Sequence, residues 1–282
     1  MKSLTRRITL KLIALGGACF GLSRTVRGDD KTPVNKADQP AESSNNATTV
    51  SWTKTHDRVW LDPRIWANPM EDWRVKDGAA ECQTTGGNRN LHLITHQWTD
   101  PSGSADMSVT IQKIGGQRKG AGAGFRIGTK SELNEYRSNC FANGGINAGV
   151  LEGKLMLGRN TGNKSIDLGD EITLKLTARS QGLQVALTLS AGTPSGKTLD
   201  QLTTSVPSKA LLGNVSLVNN FDAKLKRGQG GQYRFKDWSV TGNAFTIDES
   251  RKFGPILWSM YSLSDSRSDE GFVLKISALT GP

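Results

Sequence analysis

The stretch "GDEITLKLTARSQGLQVALTLSAGTPSGKT", residues 169–198, decides the fold class. Ile172, Leu174 and Leu176 alternate with Thr173, Lys175 and Thr177. After the turn residues Ser180-Gln181-Gly182, Leu183, Val185, Leu187 and Leu189 alternate with Gln184, Ala186, Thr188 and Ser190. An apolar side chain at every second position is the pattern of a strand with one face buried, and the glycine between the runs predicts a tight hairpin turn. "GTPSGK", 192–197, closes the second run with another turn.

The same texture extends in both directions. "NLHLITHQW" (90–98) sets Leu91, Leu93 and Thr95 on one face, and "ADMSVTIQKI" (105–114) alternates Met107, Val109 and Ile111. "AGAGFRIG", "GNVSLVNN" and "GQYRFKDWSVTG" complete the series, the last as its closing strand. No segment of useful length carries a helical period. The chain has 32 glycines and 35% hydrophobic residues, a composition suited to short strands and tight turns. The fold class is therefore all-β, an antiparallel β-sandwich of the jelly-roll kind. Alternation leaves each strand an outer face, and the outer face of the more curved sheet is the expected working surface.

Residues 1–28 read as an export signal. Arg6 and Arg7 are adjacent in "TRRITLK", which resembles the twin-arginine motif, and an uncharged run follows from Leu12 to Leu22. Cys19, after "LGGA", offers a lipidation site through an imperfect lipoprotein box. The expected location is outside the cytoplasm, in the periplasm or cell envelope. This stretch carries Lys2, Arg6, Arg7, Lys11, Arg24 and Arg27 with no acid, more than half of the net +10. Apart from "KLKRGQGGQYR" the remaining basic residues are scattered, so no nucleic-acid partner is expected. No apolar run reaches the length of a membrane span.

Residues 29–50 are polar and rich in Pro, Ser and Asn, the composition of a disordered linker. The sandwich is expected over 51–242. Residues 243–282 then read as a connector, with Phe253, Ile256, Leu257, Trp258, Met260 and Tyr261 as an apolar cluster. The alternating run at 272–278 would begin an incomplete second β module and be the least securely packed strand. Trp60, Trp66 and Trp73 either seal one end of the core or form an aromatic platform for sugars.

Chemistry is sparse. His92 and His96 lie four apart, but a strand would separate them by roughly 13 Å. No metal site is expected there, and the two read as polar positions on an exposed face. Glu132 with Glu135, and Asp269 with Glu270, are the nearest carboxylate pairs, without the spacing of a strand glycosidase. Cys82 and Cys140 either pair as a disulfide or remain two free thiols. The densest polar stretch is "FRIGTKSELNEYRSNCFANGG", 125–145. Its Arg126, Tyr136, Arg137, Asn139 and Asn143 could bind a carboxylate, a phosphate or sugar hydroxyls, or simply bond the loop to itself.

Two resemblances follow from quoted residues. "GAGFRIG", "GDEITLKLTA" and "YRFKDWSVTG" resemble the concanavalin A-like (laminin G-like) sandwich over roughly 58–242. "DPRIWANPMEDWRVKDG", "NRNLHLITHQ" and "FGPILWSMYSLS…DEGFVLKISALTGP" resemble the region that precedes the catalytic domain of exported alkaline phosphatase D-like (PhoD-like) metallophosphatases. That family's metal ligands fall in D-x-H and G-N-H-[DE] runs, and neither occurs here. The resemblance thus implies a non-catalytic region with no cofactor of its own. It would bind a glycan or phosphate ester, or act as a scaffold beside a missing phosphatase domain. The alternatives are a free-standing glycan-binding or glycan-cleaving module and a structural envelope protein.

Overall fold

The computed structural model describes residues 47–254, 256–264 and 271–280. Arg6, Arg7 and Cys19 lie outside the described residues, as does nearly all of the expected linker. In chain order the first strands are β1 (Thr48–Val50), β2 (Ile65–Asn68), β3 (Trp73–Lys76), β4 (Ala79–Cys82), β5 (Arg89–Trp98), β6 (Ala105–Gly116), β7 (Gly122–Thr129), β8 (Ile146–Leu151) and β9 (Lys154–Leu157). They continue with β10 (Asn160–Thr161), β11 (Ile172–Gln181), β12 (Gln184–Gly192), β13 (Thr198–Pro207), β14 (Gly213–Asn219), β15 (Gly231–Gly242), β16 (Phe245–Ile247), β17 (Ile256–Ser264) and β18 (Val273–Thr280).

Asn45–Gly254 forms one compact unit containing two eight-stranded antiparallel sheets. The first runs β13-β12-β11-β6-β15-β4-β3, with β1 also on β15. The second runs β10-β9-β8-β7-β14-β5-β16, with β2 also on β5. The deciding stretch is the β11–β12 hairpin, paired from Gln181↔Gln184 back to Thr173↔Gly192. Leu174, Leu176, Val185, Leu187 and Leu189 from the first sheet share one core with Leu91, Phe125, Ile127, Leu155 and Leu217 from the second. The sheets therefore face each other as a sandwich, as the alternation predicts. Trp52, Trp73, Trp98, Trp238, Tyr233, Phe125 and Phe235 are its largest fully buried side chains. Each contributes on the order of 2–3 kcal/mol by leaving water.

Several boundaries and facings differ from the sequence reading. Thr48–Val50, placed in the linker, pairs with Trp238–Val240 and buries Val50. Strand β15 is not a closing strand but a central one, with β6 on one side and β4 and β1 on the other. The sandwich continues past residue 242, because β16 pairs in the second sheet with Trp98, Gln97 and His96 of β5. Leu183 sits in the β11–β12 turn, 85% exposed, rather than in the core. Cys82 and Cys140 are both free and buried. Cys82 Sγ donates to Thr84 O, while Cys140 Sγ donates to Tyr136 O and accepts from Asn214 Nδ2. Each thiol has local partners, and no disulfide joins the two.

The remaining described residues form a separate hairpin, β17 with β18, in register from Ser264↔Val273 to Ile256↔Thr280. Trp258, Met260, Tyr261, Leu263, Leu274, Ile276 and Leu279 are all exposed on it. Of the apolar cluster read in the sequence, Phe253 belongs to the sandwich unit and packs there against Trp60 and Trp66.

Candidate functional site

The outer face of the second sheet carries the polar residues. Core-facing Phe125, Leu217, Leu91 and Ala148 alternate with Arg126, Ser216, His92 and Asn147. Register aligns the outward set into one row: Trp66↔His92, His92↔Ser216, Ser216↔Arg126 and Arg126↔Asn147, across β2, β5, β14, β7 and β8. Three strand spacings separate Trp66 from Arg126, roughly 14 Å.

Arg126 is held on several sides. Its Nε donates to Asn147 Oδ1 at 2.8 Å, its Nη1 to Asn88 Oδ1 at 2.5 Å and Asn90 Oδ1 at 3.4 Å, and its Nη2 to Phe221 O at 3.3 Å. These acceptors are all neutral. Burial lowers its pKa to about 10, which leaves the guanidinium charged at neutral pH. Arg126 is only 6% exposed, so these neutral oxygens hold an un-neutralised positive charge just beneath the face of the sheet.

His92, in the middle of the row, is 1% exposed. Neither ring nitrogen has a hydrogen-bond partner among the described residues, nor does the Ser216 hydroxyl beside it. Burial first, and the Arg126 charge second, push the His92 pKa down to about 3, so the ring is neutral. His96 is also buried, and burial is the main cause of its pKa of about 4. The two histidines are thus not exposed surface positions, as their sequence suggested. β5 is buried along nearly its whole length, outward positions included. Among the described residues no group of three or more His, Cys, Asp or Glu is placed to hold a metal ion. No helix there is long and apolar enough to cross a membrane.

The tryptophans divide between the two roles open to them. Trp73 is core. Trp60 and Trp66 are half-buried in an aromatic chain: Phe253 stacks on Trp66 at 5.6 Å, and Trp60 and Phe141 meet that pair edge-on at 5.7 Å each. Phe141 is 62% exposed at the end of this chain.

The loop between β7 and β8 brings the other sequence candidates to this side of the molecule and gives them separate duties. Glu135 caps the helical turn Tyr136–Asn139 by accepting from Arg137 N and Ser138 N, which gives this carboxylate a structural role. Asn139 is fully buried. It accepts from Ser131 N and donates to Gln97 Oε1, Asn134 Oδ1 and Asn214 Oδ1, so it pins the loop to the sheet. Tyr136 lies between two cations: the Arg251 guanidinium is 4.7 Å and the Arg137 guanidinium 5.2 Å from its ring centre, and Arg137 Nε donates to its hydroxyl at 2.8 Å. Asn143 is exposed. Arg126 therefore belongs to the sheet row, Tyr136 and Arg137 to a cationic cluster on the loop, and Asn139 to the loop's anchorage. Asn88, Asn90, Asn147, Ser216, Phe141 and Arg251 were not singled out from sequence. Asn147 and Ser216 could have been, since each holds the polar position of an alternating run.

No protein-family model matches the chain, and no curated protein matches it. Solved structures with a similar strand arrangement include the basic winged bean lectin with Tn-antigen, at 12% identity and a TM-score of 0.49, covering 70% of this chain and 98% of that one. Lectin II from Ulex europaeus gives 14% and 0.47, covering 71% and 100%. The metal-free form of lectin I-B4 from Griffonia simplicifolia gives 13% and 0.48, covering 70% and 99%. The antiparallel β-sandwich itself rests on this chain's own two sheets and their shared core.

Proposed function

We propose that the module binds a glycan on the outer face of its second sheet. The observation that carries this reading is the accessible aromatic end of the cross-strand row, half-buried Trp66 with exposed Phe141, backed further along the row by the charge of the buried, amide-held Arg126. A ring face suits the apolar face of a sugar. A fixed guanidinium with neighbouring amides suits its hydroxyls or an acidic substituent. The resemblance to the front region of PhoD-like phosphatases adds a setting to the proposal: an exported, non-catalytic module that presents a glycan or phosphate ester to a phosphatase domain.

The test is glycan-array screening followed by calorimetric titration of the purified chain. Phe141→Ala and Arg126→Gln should each weaken binding at least tenfold. Because Phe141 is exposed, its substitution should leave the melting temperature within about 2 °C. Absence of binding to any glycan, or full affinity in both variants, overturns the reading. Metal-dependent phosphatase activity from this chain would overturn the accessory role.

A further inference from the structure

A second site lies away from that face. Between the two sheets, where the end of β6 meets the β8–β9 turn and the segment before β11, there is a cleft of about 580 Å³. That volume lies within the roughly 300–1,000 Å³ of small-molecule sites. Lys113 and Arg118 line it, with Ile166 and Leu168, both buried, as apolar wall.

The charge balance of the cleft is uneven. Lys113 is the register partner of core residue Tyr233, so its side chain leaves the inner face of the sheet. Its Nζ donates to Gly116 O at 2.9 Å, which leaves two of the three ammonium protons. Arg118 donates from Nε to Glu152 O and from Nη2 to Ser165 Oγ, at 3.1 Å each. Among the described residues neither cation is paired with a carboxylate. The acid that lines the cleft, Asp167, is exposed and accepts from Gly169 N. Tyr233, on the inner face beside Lys113, is fully buried with a hydroxyl that has no hydrogen-bond partner among the described residues. We infer that this cleft is a binding site for a small organic oxyanion, a carboxylate or phosphate monoester. Lys113 and Arg118 take the charged head, and Ile166 and Leu168 the apolar body.

Calorimetric titration of the full chain with phenyl phosphate, benzoate and inorganic phosphate tests this. Saturable binding of phenyl phosphate or benzoate is expected, with the preferred compound identifying the head group. Lys113→Gln and Arg118→Gln should each weaken it at least tenfold, and Phe141→Ala should leave it unchanged. Both cations bond only main-chain carbonyls or Ser165, so the variants should still melt cooperatively. If Lys113→Gln does not fold, Arg118→Gln decides alone. No binding of either organic anion, or affinity unchanged in the variants, overturns the site. Inorganic phosphate binding as tightly as phenyl phosphate overturns the role of the apolar wall.

Discussion

Asn220 and Gly231 are bonded in both directions: Asn220 Nδ2 donates to Gly231 O at 2.8 Å, and Gly231 N donates back to Asn220 Oδ1 at 3.1 Å. The same Nδ2 also reaches Thr85 O and Gly86 O, and the same Oδ1 accepts from Gly122 N. One fully buried amide thus ties together the loop before β5, the start of β7 and the start of β15. Asn220→Asp replaces the donor with a carboxylate facing three carbonyl oxygens. It should cost about 3 kcal/mol or more, read as a lower urea midpoint with an unchanged slope. A cost below 1 kcal/mol would show that the hub is dispensable.

Acid should destabilise the fold through His92 and His96. Both bind a proton more weakly in the folded chain, at about 3 and about 4, than their ordinary value of 6.5. The unfolded chain therefore gains protons first as pH falls. The stability is fully present above pH 6.5 and is lost downward from there, with the histidine contribution exhausted only below the folded values. Each histidine contributes a slope of up to about 1.4 kcal/mol per pH unit within that window. Chemical denaturation of the wild type and of His92→Leu between pH 7 and pH 4 measures it. The variant should lose about one proton's worth of slope, and an unchanged slope would show that His92 is protonated in the fold.

The thiols should be inert. Burial pushes both Cys82 and Cys140 up to about 12, so almost no thiolate exists at neutral pH. A chromogenic disulfide reagent should label neither in the native chain and both in denaturant. A reductant should not move the melting temperature. With Cys19 replaced (Cys19→Ser), so that Cys82 and Cys140 are the two thiols left, native labelling of one equivalent or more contradicts the burial of these side chains.

Ser216 offers a test of the row itself. Its buried hydroxyl has no protein hydrogen-bond partner among the described residues, so removing it deletes a desolvation cost and no bond. Ser216→Ala should be neutral or stabilising by up to about 1 kcal/mol. A clear loss of stability would show that the hydroxyl is satisfied.

The strands were legible where one face of a strand is dry and the other wet. Ile172 to Leu189 announces its hairpin because large apolar residues recur at every second position, between residues that are polar or, at Ala186, small. The pattern fails where both faces are buried. His92 sits on the outward side of β5 yet is closed off, where alternation would assign it to solvent, and past the β14–β5 register shift His96 shares the inward face with Trp98, against Phe245. It also fails for short strands in polar text: Thr48 and Thr49 carry no apolar signal, and only pairing with β15 makes them strand. The site was half visible. Arg126 stands out as a charge in a small apolar run, but its partners, Asn88 with Asn90, Asn147 and Phe221, come from three other places in the chain. Asn139 looked like a ligand group because sequence shows an amide without showing whose hydrogen bonds it already completes.

The central place of β15 has a consequence for how the protein comes into being. β1 and β4, among the first strands made, have their partners at Thr48↔Val240 and Phe235↔Ala80, far later in the chain. At a synthesis rate of about 5–20 residues per second, roughly 10–40 s pass before those partners exist. β3–β4 and β6–β11–β12–β13 can pair in chain order, but the first sheet cannot be joined into one until β15 emerges. It must wait for nearly the whole domain and then close over long loops, a slow step that leaves early strand edges open in the interval. Maturation of this protein should thus depend on whatever shields residues 48–82 until residue 242 has been made.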